Sequence, residues 1–159
     1  MNWGRITIVC LGLVTVAAGA GVWYAQQYGF YDRIEPGDPA ATVLIQTASG
    51  PQPLIATGFE GIDADSSPIR WRACFRLDAP LPADTLPFDG ATPLNAPDWF
   101  GCFDAAAIGA DLERGAARAV LSQSEIRPDV DRVLAVYPDG RAYGWHQFND
   151  KTPERGVMD

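Results

Sequence analysis

Three arginines on alternate residues, Arg70, Arg72 and Arg76, share one face of the run from Pro68 to Leu77 with the thiol of Cys74. A guanidinium is planar, permanently charged and forked, so it suits bidentate contact with carboxylate or phosphate. Like charges on one strand face repel unless carboxylates or a ligand meet them. Asp63, Asp65 and Asp98 are the nearest internal partners in sequence. Two outcomes follow: a recognition surface for an anion or a partner protein, or an internal ion-pair network. The opposite face of the same run carries Ile69, Trp71, Ala73, Phe75 and Leu77, the alternation of a half-buried strand.

Cys74 and Cys102 are the two cysteines beyond the apolar N-terminus, and in an oxidising compartment such a pair favours a disulfide. The bridge would close a loop of roughly 29 residues, worth on the order of 3.5 kcal/mol in the chain-entropy model. A redox role lacks the Cys-x-x-Cys spacing. A metal set of Cys74, Cys102 and His146 is the weaker alternative, with too few ligands for structural zinc. His146, the sole histidine, stands in Trp145-His146-Gln147. The oxygen-rich stretch Asp63, Asp65, Ser66, Ser67 resembles the start of a calcium loop, but lacks glycine at the sixth position and glutamate at the twelfth. Turn formation is the better reading of it. Spacing reveals neither a nucleophile beside a base nor a glycine-rich phosphate loop, so no enzyme activity and no cofactor are expected.

The elements that must position these groups read as an α+β domain, an antiparallel sheet of about five or six strands with one packed helix. Thr42–Thr47 and Leu54–Phe59 are a strand and its weaker return, Pro68–Leu77 is the central strand, and Ala117–Gln123, Arg132–Tyr137 and Arg141–Phe148 complete the sheet. Pro138-Asp139-Gly140 supplies a hairpin turn between the last two. Five prolines between Asp78 and Pro97 exclude regular helix or central strand there and predict a long ordered loop. A short helix follows, capped by Asp104, with Ile108 and Leu112 on one face and Gly115 as its stop.

Residues 1–28 read as a transmembrane anchor, 29–41 as a linker, 42–148 as the domain and 149–159 as a polar tail. The run Ile6–Ala25 is uncharged, and about 20 helical residues cross a hydrocarbon core. Arg5 precedes the run, and Trp3, Trp23, Tyr24 and Tyr28 flank it at interfacial depth. The expectation is a single pass through a bacterial inner membrane, with the N-terminus cytoplasmic and the domain in the periplasm. Cleavage after Ala18-Gly19-Ala20 is the competing reading. Residues 29–159 hold 11 basic and all 20 acidic side chains, a net charge of 11 − 20 = −9, which disfavours nucleic acid and anionic lipid as partners.

The anchor, the segment from Ile62 to Phe75, the segment from Leu94 to Asp104, Asp139-Gly140-Arg141 and Trp145-His146-Gln147 together resemble an uncharacterised bacterial family of small, single-anchor extracytoplasmic proteins. The resemblance covers most of the chain and implies no established activity. Proteins of this kind sometimes carry the label histidine kinase, from which this sequence departs. It has no phospho-acceptor histidine on a helix and no glycine boxes for ATP. The expected function is that of a non-catalytic accessory or assembly protein of an integral membrane complex, a respiratory one among the candidates. The alternative is a ligand-binding or sensory module for an anion or metal.

Overall fold

The computed structural model describes residues 2–151. Helix α1 (Trp3–Gln27) buries none of its residues. At 1.5 Å per residue its 25 residues extend about 37 Å, long and apolar enough to cross a membrane. Its hydroxyls donate back into the helix, Thr7 Oγ1 to Trp3 O (3.0 Å) and Thr15 Oγ1 to Leu11 O (2.9 Å), so neither is left unpaired in an apolar surrounding.

The domain is α+β, as the alternation predicts. Its strands are β1 (Asp32–Arg33), β2 (Leu44–Thr47), β3 (Gly50–Pro53), β4 (Ala56–Asp63), β5 (Arg72–Leu77), β6 (Arg118–Arg127), β7 (Val130–Val136) and β8 (Arg141–Phe148); helix α2 spans Ala105–Glu113. Six strands form one sheet in the order β1-β4-β5-β8-β7-β6, and β2 and β3 form a separate hairpin. Every pairing is antiparallel.

The sheet is covered on both faces. One face carries Ile62, Cys74, Val133, Ala135 and Trp145, packed against Phe100, Phe103 and Ile108 from the long loop and α2. The other carries Trp71, Ala73, Phe75, Leu134 and Ala142, packed against Val43 and Ile45 of the hairpin layer. Helix α2 begins where Asp104 accepts a hydrogen bond from Ala107 N (3.0 Å) and ends before Gly115, whose φ of 72° suits a residue without a side chain. The Pro138-Asp139-Gly140 turn joins β7 to β8, with Tyr137 N bonded to Arg141 O and Gly140 at φ 86°.

Several boundaries differ from expectation, each for a physical reason. The linker contributes to the sheet: Asp32 and Arg33 pair with Asp63 and Ile62, giving β4 an outer neighbour. Pro51 and Pro53 stand within β3, because that strand pairs only with β2 and its far edge needs no donors. β4 runs beyond Phe59 to Asp63 across a bulge between Thr57 and Glu60, with Gly58 at φ 61°. The central strand begins at Arg72 rather than Pro68. The proline-rich loop forms no strand of its own, but Phe88 N and Leu86 O bond to Ala119 O and Leu121 N, laying the loop on the outer edge of β6. Of the expected polar tail, residues 152–159 lie outside the described residues.

Candidate functional site

The arginine row does not form one surface. Its three members fall into three environments, neither one shared strip nor one network with Asp63, Asp65 and Asp98. Arg76, at the open end of β5, is exposed and donates from Nη2 to Asp139 O (2.7 Å). Arg70 lies with its guanidinium 5.5 Å from the Phe30 ring and 5.3 Å from the Tyr31 ring, and its Nη1 is buried without a hydrogen-bond partner among the described residues.

Arg72 is only 3 % exposed, because α2 and the proline-rich loop close over its face of the sheet. It donates to four carbonyls: Nε to Leu94 O (2.7 Å), Nη1 to Ile69 O and Trp71 O (2.8 Å each), and Nη2 to Asn95 O (3.2 Å). Proline-rich backbone has carbonyls in excess of N–H groups, and one guanidinium supplies the missing donors. No hydrogen bond joins Arg72 to Asp63, Asp65 or Asp98 among the described residues. Burial lowers its pKa to about 10, against which Tyr31 and Asp63 favour the charged form, so it stays a cation at neutral pH.

Cys74 and Cys102 are bonded, with Cα atoms 6.3 Å apart, and tie β5 to the residues just before α2. The bridge lies on the α2 side of the sheet, whereas His146 lies on the hairpin side against Trp71. The three residues of the weaker metal reading are therefore not brought together. No cluster of three or more metal-ligating side chains occurs among the described residues. The Asp63–Ser67 stretch is a turn in which Asp63 Oδ1 accepts from Ala64 N (2.8 Å).

What surrounds His146 is the most organised polar group in the domain. Antiparallel pairing sets Arg132 of β7 opposite His146 of β8, and Trp71 lies beside them on the same face. Arg132 Nε donates to His146 Nε2 (3.0 Å), and its guanidinium carbon lies 4.0 Å from the centre of the Trp71 ring. The imidazole stacks on that ring at 5.1 Å and 14°. Trp71 Nε1 donates to Ala40 O (3.2 Å), and Arg132 Nη1 to Thr42 O (3.2 Å). Gly144 makes room for the indole, since a Cβ there would stand 2.6 Å from the Trp71 ring.

Chemistry follows from these contacts. Arg132 Nε can only donate, so His146 Nε2 must accept, and the ring proton sits on Nδ1, 2.9 Å from Pro68 O, to which it donates. Burial, with the Arg132 charge adding to it, pushes the His146 pKa down to about 3. His146 is thus a neutral acceptor that holds an arginine from behind, unsuited to general acid–base work at neutral pH. Burial also lowers the Arg132 pKa to about 10 and raises that of Asp63.

Arg132 and His146 form part of the wall of a cleft of about 760 Å³, with Asp63, Asp65 and Arg127 also lining it. The importance of Arg132, Arg127 and Trp71 here was not anticipated from sequence. The signal was present: a hairpin turning at Pro138–Gly140 with Val136 opposite Ala142 also sets residue 132 opposite 146.

No curated protein and no solved structure matches the chain. A family model does match, over residues 41–155, which take in the whole of the cleft except Pro39 and Ala40 as well as the disulfide and both buried arginines. The chain belongs to that family, a family of unknown function designated DUF6446.

Proposed function

We propose that this chain is a non-catalytic accessory or assembly protein of an inner-membrane complex, anchored by α1 with its N-terminus in the cytoplasm and its domain in the periplasm. The observation that carries the reading is the junction between helix and domain. Trp99 Nε1 donates to Gln27 O, Asp98 N donates to Gln27 Oε1 (3.1 Å), and Tyr28 stacks on Trp99 at 6.3 Å. Arg33 lies 5.0 Å over the same indole. A domain held this way has a set orientation at the base of its helix, which suits presentation to a neighbour in the membrane rather than free reach on a tether. The groups most capable of chemistry point the same way: the cysteines are bonded, and His146 is held neutral between Arg132 and Pro68.

Purification of the full chain from native membranes in mild detergent tests this. The expected result is a stoichiometric complex with at least one integral membrane protein, retained through size exclusion. Elution of the chain alone, from membranes crosslinked before extraction as well as from untreated ones, would overturn the reading.

A further inference from the structure

The cleft beside His146 carries charges of both signs that are not joined by a direct ion pair. Arg132 is 7 % exposed, yet its Nη2 is the edge of the guanidinium that is neither buried nor bonded among the described residues, while Nε and Nη1 are held by His146 and Thr42. Arg127 is exposed at the rim and makes no side-chain hydrogen bond or ion pair among the described residues. Asp63 and Asp65 line the same cleft. No ion pair within 4.0 Å links either acid to either arginine, so opposite charges face a common space across a gap.

We propose that this cleft binds a small zwitterion of the amino-acid class, its carboxylate on Arg132 and Arg127 and its ammonium on Asp63 and Asp65. Two cations and two anions sum to zero, which matches a net-neutral ligand carrying both signs and disfavours a multiply charged anion such as phosphate. Arg132 is pre-organised for its part, since the Trp71 ring, His146 Nε2 and Thr42 O fix the plane of the guanidinium and leave its outer edge to meet a carboxylate. A volume of about 760 Å³ lies within the usual range for small-molecule sites and leaves room for a side chain. The inference goes beyond the accessory role and does not depend on it.

Isothermal titration calorimetry of the full chain in detergent micelles, with L-glutamine, L-leucine and L-phenylalanine as probes and acetate, methylammonium and inorganic phosphate as controls, tests the proposal. Saturable binding is expected for at least one amino acid, with each control at least about tenfold weaker. Arg127→Ala and Asp65→Ala, both at exposed rim positions, should each weaken that binding by about tenfold while leaving the melting temperature in place. Absence of saturation by all three amino acids at about 10 mM, roughly tenfold above the weak end of ordinary substrate constants, would overturn it. So would acetate or phosphate binding as tightly as the amino acids, or unchanged affinity in both rim variants.

Discussion

Protonating His146 would set an imidazolium against the Arg132 guanidinium that bonds to it, inside a layer of buried side chains. Folding therefore resists the proton. The unfolded chain takes it up near the ordinary histidine value of about 6.5, while the folded pKa is pushed down to about 3. Stability from this residue is fully present above pH 6.5 and is lost as pH falls through the window from 6.5 to 3, at up to about 1.4 kcal/mol per unit. Lowering the pH from 7.5 to 5.0 should cost about 2 kcal/mol from His146 alone. Denaturant unfolding at the two pH values measures it. In His146→Gln, whose side chain can still accept from Arg132 and donate to Pro68 O, that part of the loss should vanish. An identical pH dependence in both proteins would refute the neutral histidine.

Arg72 argues the same point with a permanent charge. Its four acceptors are neutral carbonyls of the strand entry and the proline-rich loop, so truncation removes every donor at once and leaves those carbonyls buried. With about 1–3 kcal/mol for each acceptor left buried and unpaired, Arg72→Ala should cost at least about 3 kcal/mol, and the melting temperature should fall by more than about 6 °C. A near-unchanged melting temperature would show that the loop holds its course without this side chain. Arg76→Ala, which loses one exposed bond to Asp139 O, should change stability by less than about 1 kcal/mol.

At the scale of elements, the sheet is held by what covers it. The disulfide pins the start of α2 to β5 across a sequence separation of 28, and Phe100, Phe103 and Ile108 fill the space between. Cys102→Ser should cost about 3.5 kcal/mol, the loop-closure entropy returned to the unfolded chain, and should render the loop between Asp78 and Asp104 sensitive to protease before the rest of the domain. Simultaneous loss of the whole domain would show instead that loop and sheet unfold as one unit. On the opposite face, Gly144→Ala brings a methyl group against the Trp71 ring and Leu134, and overpacking of this kind costs about 1–3 kcal/mol. It should also shift the Trp71 emission, because the indole must move from its place against Arg132 and His146.

These elements also show which features periodicity can reveal. Alternation correctly assigned Trp71, Ala73 and Phe75 to one side of β5 and Arg72, Cys74 and Arg76 to the other. It carried no information on depth: a strand face with three arginines reads as solvated, yet a loop 22 residues further on folds back over Arg72. The covering was hidden because prolines announce only that a segment is irregular, not where it lies. Likewise the histidine was visible from the start, but its partner Arg132 came from a neighbouring strand. Only the hairpin register makes the two adjacent.

At the scale of the molecule, Trp99 stands at the meeting of helix and domain: it donates to Gln27 O and stacks on Tyr28, and on the domain side it lies under Arg33 and touches Phe100 edge-on. An aromatic ring with one polar edge suits the boundary between hydrocarbon and water, so the junction can sit at headgroup depth without exposing unpaired backbone. If Trp99 sets the orientation of the domain, spin labels on Val22 and on Arg118, each exposed, should give a narrow distance distribution in the full chain in lipid nanodiscs. Trp99→Ala should broaden that distribution severalfold, while the domain loses no more than about 2 kcal/mol, since the ring is only partly buried. Equal widths in the two proteins would mean that the remaining bond from Asp98 N to Gln27 Oε1 and the pairing of β1 with β4 are enough to hold the domain, and the orienting role would pass from the indole to the short strand that follows the helix.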